Sequence, residues 1–280
     1  MAGPQIRWLQ EGRRLHLHHG PIDLICEIQG PDKAICFEAI VARFETILDG
    51  LVSELPRLRK PVCETTHFCD PVALRMNIAV SKYSEVFVTP MAAVAGAVAD
   101  EILETIPKHA NIDQAYVNNG GDIALKVAPG HHMTVLGAFG TINLEHGSPI
   151  QGVATSGWRG RSHSLGIADL VTVQAQTAAD ADVAATLIAN AVNLPGHPAI
   201  TRIPAQHLFP DSDLGQRAVT TDVAPLNHAD RQTALNSGLA YAAKLCASGR
   251  IFQADLALQN EIRNVTAQIP NASEKVPDYA

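Results

Sequence analysis

Apolar and polar residues alternate from Leu15 to Ile28, LHLHHGPIDLICEI, and only Gly20-Pro21 breaks the pattern. A period of two puts successive side chains on opposite faces of a strand, so this stretch predicts a hairpin. From Lys33 the period lengthens. Ile40, Phe44, Ile47, Leu48 and Leu51 recur at helical spacing, which predicts a helix to about Leu55 with Asp32 as N-cap. Pro71 to Tyr83 reads as a second helix and Val86 to Val88 as a short strand. Thr89 before Pro90 predicts a capped third helix, rich in small residues, to about Ile106, where Pro107 ends it. Gln114 to Asn118 and Ile123 to Val127 read as strands joined by Asn118-Asn119-Gly120-Gly121-Asp122. Met133 to Leu144, Gln151 to Ala154 and Leu170 to Gln176 read as further strands.

Thr177 then caps an alanine-rich helix to about Val192. Prolines at 195, 198, 204, 210 and 225 make the segment from Asn193 to Pro225 loop-rich, a connector or a lid. A last helix runs from about Asn227 to Ala247, Gly249 breaks it, and a short strand is expected near Ile251. The tail after Asn271 is polar and expected to fray. No internal repeat or low-complexity segment is visible. The pattern predicts an α+β fold, an antiparallel sheet covered by helices, in one domain over residues 1–280. Its core spans about 15–193, its connector 194–226 and its helical C-terminal segment 227–265.

Composition narrows the classes. Of 280 residues, 46% are hydrophobic, enough to fill a core, and only 5% are aromatic, so packing rests on small and branched side chains. The net charge of −7 and the lack of a basic run argue against nucleic acid as a partner. Residues 1–24 hold Arg7, Glu11, Arg13, Arg14 and three histidines with no apolar core, so no signal peptide is read there. Met91 to Ala99, the longest apolar stretch, is about half the roughly 20 residues of a membrane span. Five irregularly spaced cysteines imply no disulfide framework. Together these predict a cytoplasmic protein.

The candidate chemistry is polar and rich in oxygen. Asp182 and Thr186 are four residues apart on one helical face, a pairing that suits Mg²⁺. Their plainer reading is a carboxylate at a helix start and a hydroxyl bonded back to a carbonyl. The 118–122 turn is either a hairpin turn or a cradle for a phosphate or a flavin carbonyl. Thr155, Ser156 and Gly157 end a strand with two hydroxyls, for a cofactor or for a local turn. His163, between two serines, is a general base near neutral pH or a solvated loop residue. Asp169, if buried, needs a metal or a backbone turn as partner. Cys63, His67 and Cys69 offer three soft ligands at no standard zinc spacing. His16, His18 and His19 read as strand positions, and His131-His132 as a turn.

In order, Gly96-Ala-Val-Ala-Asp100, Val117-Asn-Asn-Gly-Gly-Asp-Ile123, Val153-Ala-Thr-Ser-Gly157 and Ala181-Asp-Val-Ala-Ala-Thr186 resemble the ApbE superfamily, the FAD:protein FMN transferases. The resemblance covers roughly residues 35–193. Ser162 to Asp169 and Gly238 to Gln259 are similar to a short cytosolic branch of that superfamily. The resemblance implies a T-fold-like architecture, FAD and Mg²⁺ binding, and transfer of FMN to a protein hydroxyl. It implies that Asp182 and Thr186 hold the metal, that Asn119 to Asp122 form the flavin-pocket turn, and that His163 lies near the catalytic position. It also implies an acceptor protein and self-association into homo-oligomers. Two departures stand out: Ala95 replaces a lysine, and Leu165 to Asp169 replace an Asp-Pro-x-Thr-Gly segment. They keep open an accessory protein that binds flavin or a nucleotide without transfer, with a place in anaerobic sulfur assimilation into homocysteine. A scaffold that binds no cofactor stays open too.

Overall fold

The computed structural model describes residues 3–62 and 66–268. Nine strands form one sheet in the order β1-β2-β3-β4-β5-β8-β9-β12-β13, and every neighbouring pair runs antiparallel. They are β1 (Gln5–Leu9), β2 (Arg14–His19), β3 (Ile22–Gln29), β4 (Gln114–Asn119), β5 (Asp122–Val127), β8 (Gly152–Ser156), β9 (Leu170–Ala175), β12 (Gln253–Leu258) and β13 (Glu261–Thr266). Between β5 and β8 the chain makes a separate hairpin, β6 (His132–Gly137) and β7 (Gly140–Glu145).

Helices cover one face. They are α1 (Lys33–Leu58), α2 (Pro71–Ser81), α3 (Val94–Glu104), α4 (Ala178–Ala191) and α6 (His228–Ala247). Strand alternation turns Leu15, Leu17, Leu24, Cys26, Val117, Ala124, Ala154, Val171 and Val173 towards them, all fully buried or nearly so. Each larger aliphatic side chain there contributes about 1.5–3 kcal/mol. The β6–β7 hairpin folds onto the opposite face, burying Leu125, Met133, Leu144 and Val153 in a second, smaller cluster.

Small residues set how closely α4 approaches. A Cβ on Gly96 would overlap the backbone of Ala178, and one on Gly152 would overlap Thr177 and Ala178. Thr177 caps α4 by accepting from the Asp180 N–H at 3.1 Å. Thr177→Ala is expected to cost about 1 kcal/mol, read by denaturant unfolding. Asn227 likewise caps α6, accepting from Asp230 N–H at 2.9 Å.

Several local expectations are corrected. Asp32 makes no side-chain cap; its carboxylate accepts from Asn111 N–H at 2.8 Å. The first helix runs on to Leu58 with Pro56 in its last turn. Residues 86–88 form no strand; among the described residues Val88 makes a single backbone bond, its carbonyl accepting from the Val62 N–H. Thr89 caps nothing; a 3₁₀ turn over Pro90–Ala93 precedes α3, and the Thr89 hydroxyl donates to Asp213. The 193–225 segment holds a two-stranded ribbon, β10 (Ile200–Pro204) and β11 (Ala218–Val223), around the short helix α5 (Ala205–Leu208). The short strand near Ile251 is instead the full β12–β13 hairpin. No helix among the described residues is long and apolar enough to cross a membrane.

Candidate functional site

The β4–β5 hairpin turns on Gly120 and Gly121, whose φ angles of 66° and 117° are ones that side-chain-bearing residues rarely adopt. Asn118 shapes the turn by accepting from the Gly121 N–H at 2.8 Å. Asn119 ties it to α3 by donating to the Ala95 carbonyl at 3.1 Å. The register then starts β5 at Asp122, whose carboxylate faces the helices and accepts from the Thr155 N–H at 3.1 Å.

Asp182, near the start of α4, reaches across to α3 and accepts from the Gly96 N–H at 3.0 Å. Asp100 does the converse. From α3 it accepts from Ala178 and Ala179 N–H at 3.0 and 2.9 Å. Each helix thus supplies the carboxylate that caps the other's N-terminus, and the two positive helix ends meet beside Asp122. Thr186 lies one turn beyond Asp182 on the same face, half-buried, and its hydroxyl makes no hydrogen bond among the described residues.

The electrostatics follow from crowding. Burial raises the Asp122 carboxyl to about 7, against the opposing pull of the Thr155 N–H and the Arg161 guanidinium. Asp182 is pushed well above the usual carboxylate range, first by burial and then by the charge of Asp122. Asp100 rises to about 6, again chiefly by burial. Two acids that resist ionising side by side form an all-oxygen site in which a hard divalent cation would relieve the strain.

Arg161 is the main residue the sequence reading missed. Its guanidinium lies against Gly120, in space that any side chain there would fill, and forms no ion pair among the described residues. The only signal was its place in a glycine-bearing loop two residues before His163. His163 itself stacks on Phe209 with ring centroids 5.2 Å apart. No hydrogen bond joins it to Asp122 or Asp182 among the described residues.

Thr155 is split between the faces. Its N–H serves Asp122, while its hydroxyl lies 3.2 Å from that of Thr172. Ser156 ends β8, and Gly157 packs where a Cβ would overlap Asp169. Asp169 needs no metal. It accepts from the Trp158 indole (3.1 Å), Arg159 (2.8 Å) and the Gln259 N–H (2.6 Å). Cys63 lies outside the described residues, so the Cys63, His67 and Cys69 set does too. Among the described residues no three His, Cys, Asp or Glu side chains converge on one point. His16 pairs with Asp23 at 2.6 Å and His19 packs on Phe44.

A sequence model of the family described as AbpE bacteria matches residues 6–264. The chain belongs to that family. The AbpE match takes in the whole nine-strand sheet except the first residue of β1 and the last two of β13. A UPF0280 protein of Methanothermobacter thermautotrophicus is 39% identical over 133 residues, 45% of this chain and 50% of that protein. A UPF0280 protein of Methanopyrus kandleri is 38% identical over 122 residues, 40% and 46% of the two chains. The chain spans about half the length of the curated relatives it matches. The fold is similar to that of the flavinyl transferase ApbE of Pseudomonas stutzeri, with a TM-score of 0.52 and 11% identity over 96% of this chain and 97% of that one. These findings agree with the ApbE-like resemblance and the α+β architecture read from the ordered motifs.

Proposed function

We propose that this AbpE-family protein binds FAD between the 118–122 turn and the facing ends of α3 and α4, and transfers FMN from it to a hydroxyl of an acceptor protein. One observation carries the reading: Asp122, Asp182 and the glycine turn converge from three elements beside Arg161, which forms no ion pair among the described residues. Arg161 suits a diphosphate, and Asp122 with Asp182 and the Thr186 hydroxyl, which makes no hydrogen bond among the described residues, suits Mg²⁺. When bound there, the ion would neutralise charge developing on the phosphoryl oxygens.

His163 takes the proton from the acceptor hydroxyl. The acceptor oxygen forms a new bond to the FMN phosphorus, the anhydride bond breaks, and AMP leaves with its electron pair. Asn118, Asn119, Thr155, Ser156 and Gly157 line the pocket in this reading. Purified protein with FAD, Mg²⁺ and a hydroxyl-bearing acceptor peptide should yield AMP and covalent flavin in equal amounts. His163→Ala should slow the reaction by about 10²–10⁴ while leaving FAD binding in place. Bound FAD with neither product would sink the transfer step.

That outcome would favour the second reading, a flavin- or nucleotide-binding accessory protein. Asp169 motivates it: in the loop that replaces the Asp-Pro-x-Thr-Gly segment, this carboxylate is fully used by Trp158, Arg159 and Gln259. A protein that binds neither FAD nor a nucleotide would exclude both.

A further inference from the structure

The sheet face opposite the helices carries a second polar site. Register pairs Thr172 of β9 with Asp255 of β12, and Gln174 with Gln253, so four polar side chains make a two-by-two patch. The tip of the β6–β7 hairpin overhangs it and leaves a cavity of about 250 Å³. This is smaller than the roughly 300–1,000 Å³ of pockets for drug-sized ligands. Phe139, Ile142 and Ile150 supply the apolar part of its wall.

The patch is largely buried despite its polarity. Thr172, Gln174 and Asp255 are 3%, 6% and 8% exposed. Gln253 donates its amide N–H to Asp255 at 2.9 Å, which leaves its own carbonyl oxygen free. The Gln174 side chain has no hydrogen-bond partner among the described residues. Among the described residues no Lys, Arg or His lines the cavity and none pairs with Asp255. Among the described residues Asp255 has only the Gln253 amide as a side-chain partner and Gln174 has none, so a donor that enters with positive charge supplies the partners they lack. The absence of any basic lining residue disfavours an anion.

We propose that this cavity binds a small aliphatic ammonium compound, with Asp255 taking its charge, the Gln174 and Gln253 amide oxygens accepting its N–H groups, and Phe139, Ile142 and Ile150 enclosing its hydrocarbon. The site is distinct from the Asp122–Asp182 cleft. The two lie back to back across β8, linked by Thr155, whose hydroxyl meets Thr172 and whose N–H meets Asp122.

The test uses the full chain without FAD, so it is independent of the transfer reading. n-Butylammonium is titrated at constant ionic strength, with butyrate and butanol as controls, by ligand-observed NMR and by thermal shift. Saturable binding of n-butylammonium alone is expected. Asp255→Asn, which keeps the volume, should weaken it at least about tenfold, and Gln174→Leu should weaken it as well. Should Asp255→Asn fail to fold, Gln174→Leu carries the comparison. No saturable binding by the wild type, equal binding of butyrate, or undiminished binding by the folded variants would overturn the site.

Discussion

Asp182→Asn is expected to raise the melting temperature of the metal-free protein at pH 8 and to abolish its stabilisation by Mg²⁺. Asparagine keeps an oxygen for the Gly96 N–H, so the cap on α3 survives. What disappears is a negative charge that burial and Asp122 both oppose. The wild type should therefore gain more from Mg²⁺ at pH 8 than at pH 5, where the carboxyl pair still holds protons. Thermal unfolding at both pH values, with and without Mg²⁺, reads both effects. A variant that melts lower than the wild type at pH 8, or still responds to Mg²⁺, would remove the basis for a cation between these acids.

The sign follows from linkage. A carboxyl whose folded pKa is raised holds its proton in the native state after the unfolded chain has lost it. Stability then falls as pH rises from the unfolded value to the folded one. For Asp122 that window runs from 3.8 to about 7 and for Asp100 from 3.8 to about 6. The Asp122 rise alone corresponds to at most roughly 4 kcal/mol. Glu27, lowered by its bonds to Arg14 and Gln29 although burial opposes them, works the other way and offsets part of the fall.

Gly152→Ala is the second large effect. This glycine sits on β8 with ordinary backbone angles, so its role is space and not conformational freedom. A methyl there meets the Thr177 carbonyl and the Ala178 N–H, backbone atoms that cannot rotate away. The helix must shift, and with it the N-terminus that Asp100 caps and the turn that carries Asp182. A cost of about 3 kcal/mol follows from overpacking of this kind, equivalent to a fall of roughly 6–12 °C in melting temperature. FAD affinity should fall with it, because the two carboxylates move apart. Unchanged melting would mean that α4 does not rest on β8 as described.

Period-two and helical patterns could be read directly wherever one face of an element is buried. The β2–β3 hairpin, α1, the β4–β5 hairpin and α6 were legible for that reason. The Asn227 and Thr177 caps were legible because capping is a local bond between near neighbours. Asp32 and Thr89 look the same in sequence, yet their oxygens are claimed by Asn111 and Asp213, far along the chain. The β10–β11 ribbon was hidden by prolines and polar residues, since it is short and its buried positions, Val219, Thr220 and Val223, follow no regular period. Asp182, Thr186 and the 118–122 turn stood out as motifs, whereas Arg161 did not, because nothing local marks an arginine that lies on a distant glycine.

Sequence by itself determined the strands and helices that bury one regular face, the family, and the residue types available for chemistry, because burial periodicity and capping act over a few neighbours. Tertiary structure alone decided that α3 and α4 cap one another, that Asp122 meets Asp182, and that Thr155 turns its hydroxyl to one face and its N–H to the other. Those facts depend on close approach between segments tens of residues apart, and close approach is set by the small residues at Gly96 and Gly152 acting through packing, which no local pattern encodes.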